Sequence, residues 1–87
     1  MKKLIQVTQK HINKGKKQAY DRCPVALAVK DAGYSYAEVD QVTIEFGYEL
    51  WNYSSMVPPR SVKRFVRKFD EKGRKHVKPF NFFLVQK

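Results

Sequence analysis

Hydrophobic and polar residues alternate with a period of two near both ends of the chain, as is typical of half-buried β-strands. Near the N-terminal end, Leu4, Ile5 and Val7 predict a short first strand. Near the other end, residues 78–86 alternate with three apolar side chains on one face, namely Phe80, Phe82 and Leu84. This segment predicts the last strand.

The middle of the chain has the same period of two. From Tyr36 onward it predicts a strand with an apolar face made of Val42, Ile44 and Phe46. Gly47 predicts a tight reversal, after which residues 48–55 return as a second strand. One face of this returning strand holds Glu49, Trp51 and Tyr53.

Two short helices are predicted between the first strand and this hairpin. Thr8 is a suitable N-cap and Gly15 a suitable stop, so the first helix spans residues 9–14. Pro24 suits the first position of a second helix, which runs to Ala32 and is capped by the following glycine. The second helix is apolar on nearly all sides and is expected to be buried.

A third helix has the clearest helical signal in the chain. Pro58 and Pro59 mark its start and Gly73 its end. Between them, apolar residues recur at the i, i+3, i+4 and i+7 spacing of one helix face, namely Val62, Phe65, Val66 and Phe69.

The predicted order of elements is β-α-α-β-β-α-β, in one domain that spans residues 1–87. This order predicts an α+β fold in which a four-stranded, mostly antiparallel sheet packs with two or three helices. It is compatible with a ferredoxin-like arrangement, and other four-stranded arrangements fit equally well.

The net charge and its distribution along the chain indicate a function. The chain has 18 Lys and Arg against eight Asp and Glu, a net charge of +10. Between Ala37 and Val57 all four charged residues are acidic, while both flanks are strongly basic: the acids are Glu38, Asp40, Glu45 and Glu49. Such a surplus of positive charge favours a polyanionic partner, above all nucleic acid.

The third helix presents five cations on one arc opposite its apolar stripe: Arg60, Lys63, Arg64, Arg67 and Lys68. We expect this face to contact phosphates of DNA or RNA without strong sequence readout. The alternative is a solvated face that happens to be basic.

A second basic group lies on the first helix and the loop after it, with Tyr20 beside its cations: Lys10, Lys14, Lys16, Lys17 and Arg22. Lys2 and Lys3 could join this group. Cations with an aromatic residue nearby suit phosphate contacts combined with base stacking. The alternative is a flexible loop that its lysines keep soluble.

The acidic hairpin supports a different hypothesis, in which the protein acts by binding another protein. The contact surface would then consist of Trp51, Tyr53, Glu45 and Glu49. The same acids could instead pair with the basic residues, either within the molecule or in a head-to-tail homodimer. They also disfavour RNA binding across the hairpin, because they would repel its phosphates.

No catalytic, cofactor or metal site is predicted. Cys23, His11 and His76 lack the paired short spacings of a zinc site, and a single cysteine cannot form an internal disulfide. An enzymatic hypothesis rests only on Cys23 and His11, since a cysteine at a helix start can have a lowered pKa. No apolar run approaches the ~20 residues that span a bilayer, so we expect a cytoplasmic protein without membrane contact.

Four segments are distinctive: His-Ile-Asn-Lys-Gly at 11–15, Cys-Pro-Val-Ala-Leu-Ala at 23–28, the Pro-led basic helix ending in Phe-Asp at 69–70, and Lys-Pro-Phe-Asn-Phe at 78–82. Together they resemble small bacteriophage-encoded proteins with no assigned activity. The resemblance spans most of the chain. It implies a phage setting in the cytoplasm of a bacterial host, and action by binding nucleic acid or a host defence or transcription factor, as an anti-CRISPR or other counter-defence protein does.

Overall fold

A computed structural model describes residues 2–49 and 52–85 of the chain, with only the backbone of Glu49 and Asn52. It contains three α-helices, a short 3-10 helix at Arg74–His76 and five strands. The strands are β1 Lys2–Val7, β2 Tyr36–Val39, β3 Ile44–Glu49, β4 Asn52–Met56 and β5 Phe80–Val85, and the helices are α1 Gln9–Lys14, α2 Pro24–Asp31 and α3 Arg60–Lys72.

The strands form two antiparallel sheets. One pairs β1 with β5, and the other has the order β2-β3-β4. The sheets meet where the backbone N–H of Val85 in β5 donates to Sδ of Met56 in β4, at 3.4 Å. The α+β class is confirmed, whereas the single four-stranded sheet and the ferredoxin-like arrangement built on it are wrong.

The single strand predicted from Tyr36 to Phe46 is wrong because Asp40 turns the chain. Its Oδ1 accepts hydrogen bonds from the backbone N–H groups of Val42 and Thr43, both at 2.7 Å. An Asp side chain that satisfies two backbone donors stabilises a turn in place of a continued strand. Val42, predicted to face inward, therefore lies in the turn and is 72% exposed.

The reversal predicted at Gly47 is also wrong. Gly47 lies within β3 and pairs with Tyr36 of β2 on one side and Tyr53 of β4 on the other. The rings of these tyrosines meet edge to face with their centroids 5.7 Å apart. Both tyrosines flank Gly47 on one face of the sheet, and the glycine is buried.

The helix predictions are confirmed closely. α1 has the predicted bounds, and α2 begins at Pro24 but ends one residue early, at Asp31. α3 begins after Pro59 and ends at Lys72. The next residue, Gly73, caps it with a φ of +95°, which suits a residue without a side chain.

A single core joins the elements. The four apolar residues of the α3 stripe are buried there together with Phe46 and Ile44 of β3, Ile5 and Val7 of β1, and most of α2. Fully burying an aliphatic or phenyl side chain contributes roughly 1.5–3 kcal/mol, so this core is the main source of stability. The core fixes α3 with its cations outward.

The loop between α1 and α2 is held at several points. The backbone N–H of Lys16 donates to the carbonyl of Arg22 at 2.9 Å, and Val39 of β2 donates to the carbonyl of Tyr20 at 2.7 Å. The N–H of Gln18 donates to Oδ1 of Asp70 on α3, also at 2.9 Å. These bonds give the loop a defined path beside α3. Among the described helices, none is long and apolar enough to cross a membrane.

Candidate nucleic-acid interface

The basic face of α3 is exposed along its length, as the spacing predicts. All five predicted cations are exposed, whereas the apolar residues between them are buried. The helix has this form because Pro59 starts it, Gly73 ends it and the four-residue apolar stripe holds it against the core. We call Arg60, Lys63, Arg64, Arg67 and Lys68 the α3 basic face.

Four members of this face gather around one concavity. A cavity of about 300 Å³ is bordered by Gln41 of the β2–β3 turn and by four α3 side chains, Arg60, Lys63, Arg64 and Arg67. Guanidinium groups bind phosphate oxygens in a bidentate manner, and lysine adds a point charge. The site is therefore suited to an anionic group.

Within the described residues, a carboxylate pairs with this site at one end only. Nε of Arg67 lies 3.5 Å from Oε2 of Glu71, and both side chains are more than half exposed. An exposed pair one helical turn apart contributes little, about 0.3–0.5 kcal/mol, so it does not hold Arg67 strongly. The other ion pairs in the described part of the chain involve Asp21 and Asp31, not this face.

The acidic segment does not pair with these cations in the described residues. Glu38 of β2 and Glu45 of β3 lie directly opposite each other, and Asp40 is used in the turn. None of these three carboxylates has a Lys or Arg nitrogen within 4 Å in the part of the chain described. The hypothesis of pairing within one molecule therefore has no support from these three acids.

The predicted protein-contact surface is only partly described. Tyr53 is 47% exposed and Glu45 is partly buried, while Trp51 and the side chain of Glu49 lie outside the described residues. Burial raises the pKa of the neighbouring Tyr36 to about 12, with contributions from the Glu38 and Glu45 carboxylates. This outer face of the three-stranded sheet is thus aromatic and negative.

The second basic group is exposed as predicted, and one of its members reaches α3. Lys14, Lys16, Lys17 and Arg22 all have exposed side chains. Lys17 passes close to Gly73, because a Cβ added to that glycine would lie 3.3 Å from Cε of Lys17. Its ammonium group thereby lies near the C-terminal end of α3, where the helix dipole favours a positive charge.

α3 borders a second concavity, which was not predicted from the sequence. A groove of about 440 Å³ lies between α3 and the segment that leads into β5, and Phe65 and Phe80 are among its lining residues. Arg64, Lys68 and Lys78 also border it. The local sequence signal for this groove was the run Lys78-Pro79-Phe80, in which a cation precedes an aromatic residue by two positions. Its proximity to Phe65 depends on tertiary packing.

The pairing of Cys23 with His11 that an enzyme would need is not observed. Cys23 is 3% exposed, and burial raises the pKa of its thiol to about 11, although a hydrogen bond from the Ala26 N–H acts in the opposite direction. His11 uses both ring nitrogens elsewhere, with Thr8 and Asp31. A reactive cysteine needs a lowered pKa, so the predicted effect of the helix start on this thiol is wrong in direction.

Among residues 2–49 and 52–85, no three His, Cys, Asp or Glu side chains come together as metal ligands would. Comparison of the chain with protein-family models, with curated proteins and with solved structures found no match. The resemblance to phage-encoded proteins therefore stays a prediction.

Proposed function

We propose that this protein is a non-enzymatic nucleic-acid-binding protein that contacts phosphates through the α3 basic face, without strong sequence specificity and without a cofactor. The observation that supports it is the concavity in which Arg60, Lys63, Arg64 and Arg67 surround one space beside Gln41. The phage-like segments place this activity, as a proposal, in the cytoplasm of a bacterial host.

The energetics of such a site come mainly from released counterions. Each phosphate that a cation neutralises steepens the plot of log affinity against log salt by about 0.9 on duplex DNA and 0.7 on single strands. If all five cations of the α3 basic face contact phosphates, the slope on a duplex is about −4 to −5. Binding should therefore weaken strongly between about 50 and 200 mM salt.

Weak sequence specificity follows from the side chains on this face. The exposed residues of α3 are charged residues and Ser61, and the helix contains no Asn or Gln. Asn and Gln are the usual readers of adenine edges, and although arginine and lysine can read guanine, half or more of protein–DNA hydrogen bonds go to phosphate and sugar. We expect affinity to depend on polymer charge more than on base sequence.

The experiment is a fluorescence-anisotropy titration with labelled single-stranded DNA, duplex DNA and RNA at several salt concentrations. The doubly altered protein Arg64→Glu/Arg67→Glu should lose binding to all three, while Arg74→Glu/Lys75→Glu, with the same change in net charge, should bind nearly as the unaltered protein does. Arg74 and Lys75 are exposed on the 3-10 helix, outside both basic groups, and line neither concavity of α3. Equal loss in the two variants would show that only net charge matters, and no binding by the unaltered protein would refute the proposal.

A second candidate function is inhibition of a host protein, in the manner of an anti-CRISPR or other counter-defence protein. The observation that favours it is the outer face of the three-stranded sheet, where Glu38 and Glu45 lie beside Tyr36 and the half-exposed Tyr53. Such a surface suits a positively charged partner, for example the nucleic-acid-binding region of a host factor. Glu49 and Trp51, which the sequence hypothesis adds to this contact, have side chains outside the described residues.

This candidate predicts a different sensitivity to substitution. Capture from a bacterial lysate should yield one partner that a Tyr53→Ala/Glu45→Lys protein fails to retain, while Arg64→Glu/Arg67→Glu retains it. The same acidic face could also receive the α3 basic face of a second copy in a head-to-tail homodimer. Sedimentation at low and high salt separates these cases, since only self-association changes the mass of the protein alone.

A further inference from the structure

We propose that the groove between α3 and β5 binds an unpaired base, so that the preferred ligand is single-stranded nucleic acid. The inference rests on the proposed function and specifies its substrate. It starts from the aromatic floor of the groove. The Phe65 and Phe80 ring centroids lie 4.8 Å apart with the rings tilted by 35°, and Phe82 continues the series 5.9 Å from Phe80.

Phe80 is the exposed part of this floor. Phe65 is buried and Phe82 does not line the groove, but Phe80 is only partly buried, and Val77 and Pro79 line the groove beside it. The part of Phe80 that borders the open groove is where a base would stack. Stacking of a base on an aromatic side chain contributes about 1–3 kcal/mol and tolerates any base, because every base has a π-face.

Cations surround this apolar floor on both sides. Arg64 and Lys68 border it from α3, and Lys78 borders it from the segment before β5. An apolar floor alone would suit many ligands, whereas this combination matches a base that is joined to phosphates. The cavity, about 440 Å³, lies within the range of about 300–1,000 Å³ that holds small ligands.

Arg64 joins the groove to the phosphate site. It borders both the groove and the concavity formed with Arg60, Lys63 and Arg67. A strand whose backbone crosses α3 at this concavity therefore passes Arg64 and brings the next base to the groove. A duplex keeps its bases stacked and paired, so it offers the same phosphates but no base for Phe80.

The first test uses the unaltered protein, with anisotropy titrations of a labelled single strand, an abasic strand of the same length and a duplex. We expect the single strand to bind about tenfold more tightly than the abasic strand, as stacking of one base predicts. A 2-aminopurine base in the strand should lose fluorescence on binding. Equal affinity for the normal and abasic strands would overturn the inference, even if both bind well.

The second test replaces Phe80 by Leu, with Phe83→Leu as the matched control. Phe83 lies on the same strand but is 51% exposed and does not line the groove. Phe80→Leu should weaken single-strand binding about tenfold and leave duplex binding unchanged, and Phe83→Leu should change neither. Far-ultraviolet circular dichroism checks that each variant is folded.

The outcomes separate the two proposals. If Arg64→Glu/Arg67→Glu loses binding but Phe80→Leu binds all polymers normally, the phosphate site stands and the base-binding groove is refuted. If no polymer binds, both proposals fail. A labelled poly-glutamate peptide is the last ligand to test. If Phe80→Leu weakens binding of this peptide but not of the single strand, the groove binds an acidic peptide and the base-binding inference is refuted.

Discussion

Nε2 of His11 lies 2.6 Å from Oδ2 of Asp31, so the histidine links α1 to the last residue of α2. The backbone N–H of Thr8 donates to Nδ1 of the same ring at 3.0 Å. Since Nδ1 accepts this bond, Nε2 holds the hydrogen that is donated to Asp31. The buried ring thus caps the start of α1 and joins the two short helices.

Loss of this link should destabilise the fold. We expect Asp31→Ala to lower the free energy of unfolding by about 1 kcal/mol, because one hydrogen bond is lost and the buried ring retains an unsatisfied donor. Asp31→Asn keeps an acceptor and should cost less. Urea unfolding curves measure both, and equal stability of the alanine variant and the unaltered protein would show that the bond contributes nothing.

Gly15 should not tolerate even a methyl group. Its φ of −67° is accessible to any residue, but an added Cβ would lie 2.5 Å from Cδ and 2.8 Å from the backbone nitrogen of Pro24. Gly15→Ala must therefore displace the start of α2, at a cost of about 1–3 kcal/mol. Lys14→Ala, at the exposed neighbouring position, should change stability by less than about 0.5 kcal/mol. Thermal unfolding of the two variants gives the comparison.

The opposed carboxylates of Glu38 and Glu45 should weaken the β2–β3 pair. Like charges directly opposite on a sheet are destabilising, so Glu45→Lys should raise the free energy of unfolding by about 0.5 kcal/mol. Glu45→Gln removes the repulsion without adding attraction and should give a smaller gain. If both variants are less stable than the unaltered protein, other contacts of the Glu45 side chain outweigh the charge repulsion at this pair.

Cys23 should make stability depend on pH in the alkaline range. Its folded pKa is about 11 against an ordinary value of 9.0, so the unfolded chain loses the thiol proton first as pH rises. The stabilisation is full below pH 9 and is lost as pH approaches and passes 11, by about 2 kcal/mol between these values. The pKa of Tyr36, about 12, lies close to this pH range. The quantity to measure is therefore the difference in free energy of unfolding between the unaltered protein and Cys23→Ala. A difference that stays constant from pH 9 to 11 would contradict the burial of a protonated thiol.

The second basic group should contribute to the same electrostatic binding. Replacing Lys14, Lys16 and Lys17 together by Gln should make the salt slope on a single strand shallower by about 2, since each lost phosphate contact removes about 0.7. Anisotropy titrations over the salt range used for the α3 variants measure the slope. An unchanged slope would confine the interface to the α3 basic face and the adjoining groove.

The helices were predictable from sequence because their determinants are local. Thr8, Gly15, Pro24 and Pro59 act on the residues next to them, and the α3 stripe is a spacing along one segment. The turn at Asp40 was not predictable from periodicity, because Val42 keeps the phase of Ile44 and Phe46 through the reversal. The turn is distinguished from a strand by the hydrogen bonds of the Asp40 carboxylate and by the bond from the Asp40 N–H to the carbonyl of Thr43.

One part of the candidate site could also be predicted from local sequence, and another part could not. The α3 basic face follows from helical spacing alone, so the sequence contains it. The groove does not, because Phe65 and Phe80 are distant in sequence and meet only when α3 packs against the start of β5. The role of Gly47 also depends on residues distant in sequence. The glycine suggested a turn, but in the structure it lies within β3 and is flanked by tyrosines from the two neighbouring strands.

The separation of charge described for the two outer surfaces gives the molecule an electric dipole moment in addition to its net charge. The apolar sides of α3 and of the three-stranded sheet belong to one core, so the positive helix surface and the negative surface of Glu38 and Glu45 lie on the solvent sides of different elements. In the field of a polyanion, a molecule with such a dipole moment experiences a torque before contact. If the α3 basic face binds a polyanion as proposed, this torque would favour approach of that face, and the carboxylates of Glu38 and Glu45 would repel any polyanion that approaches the sheet.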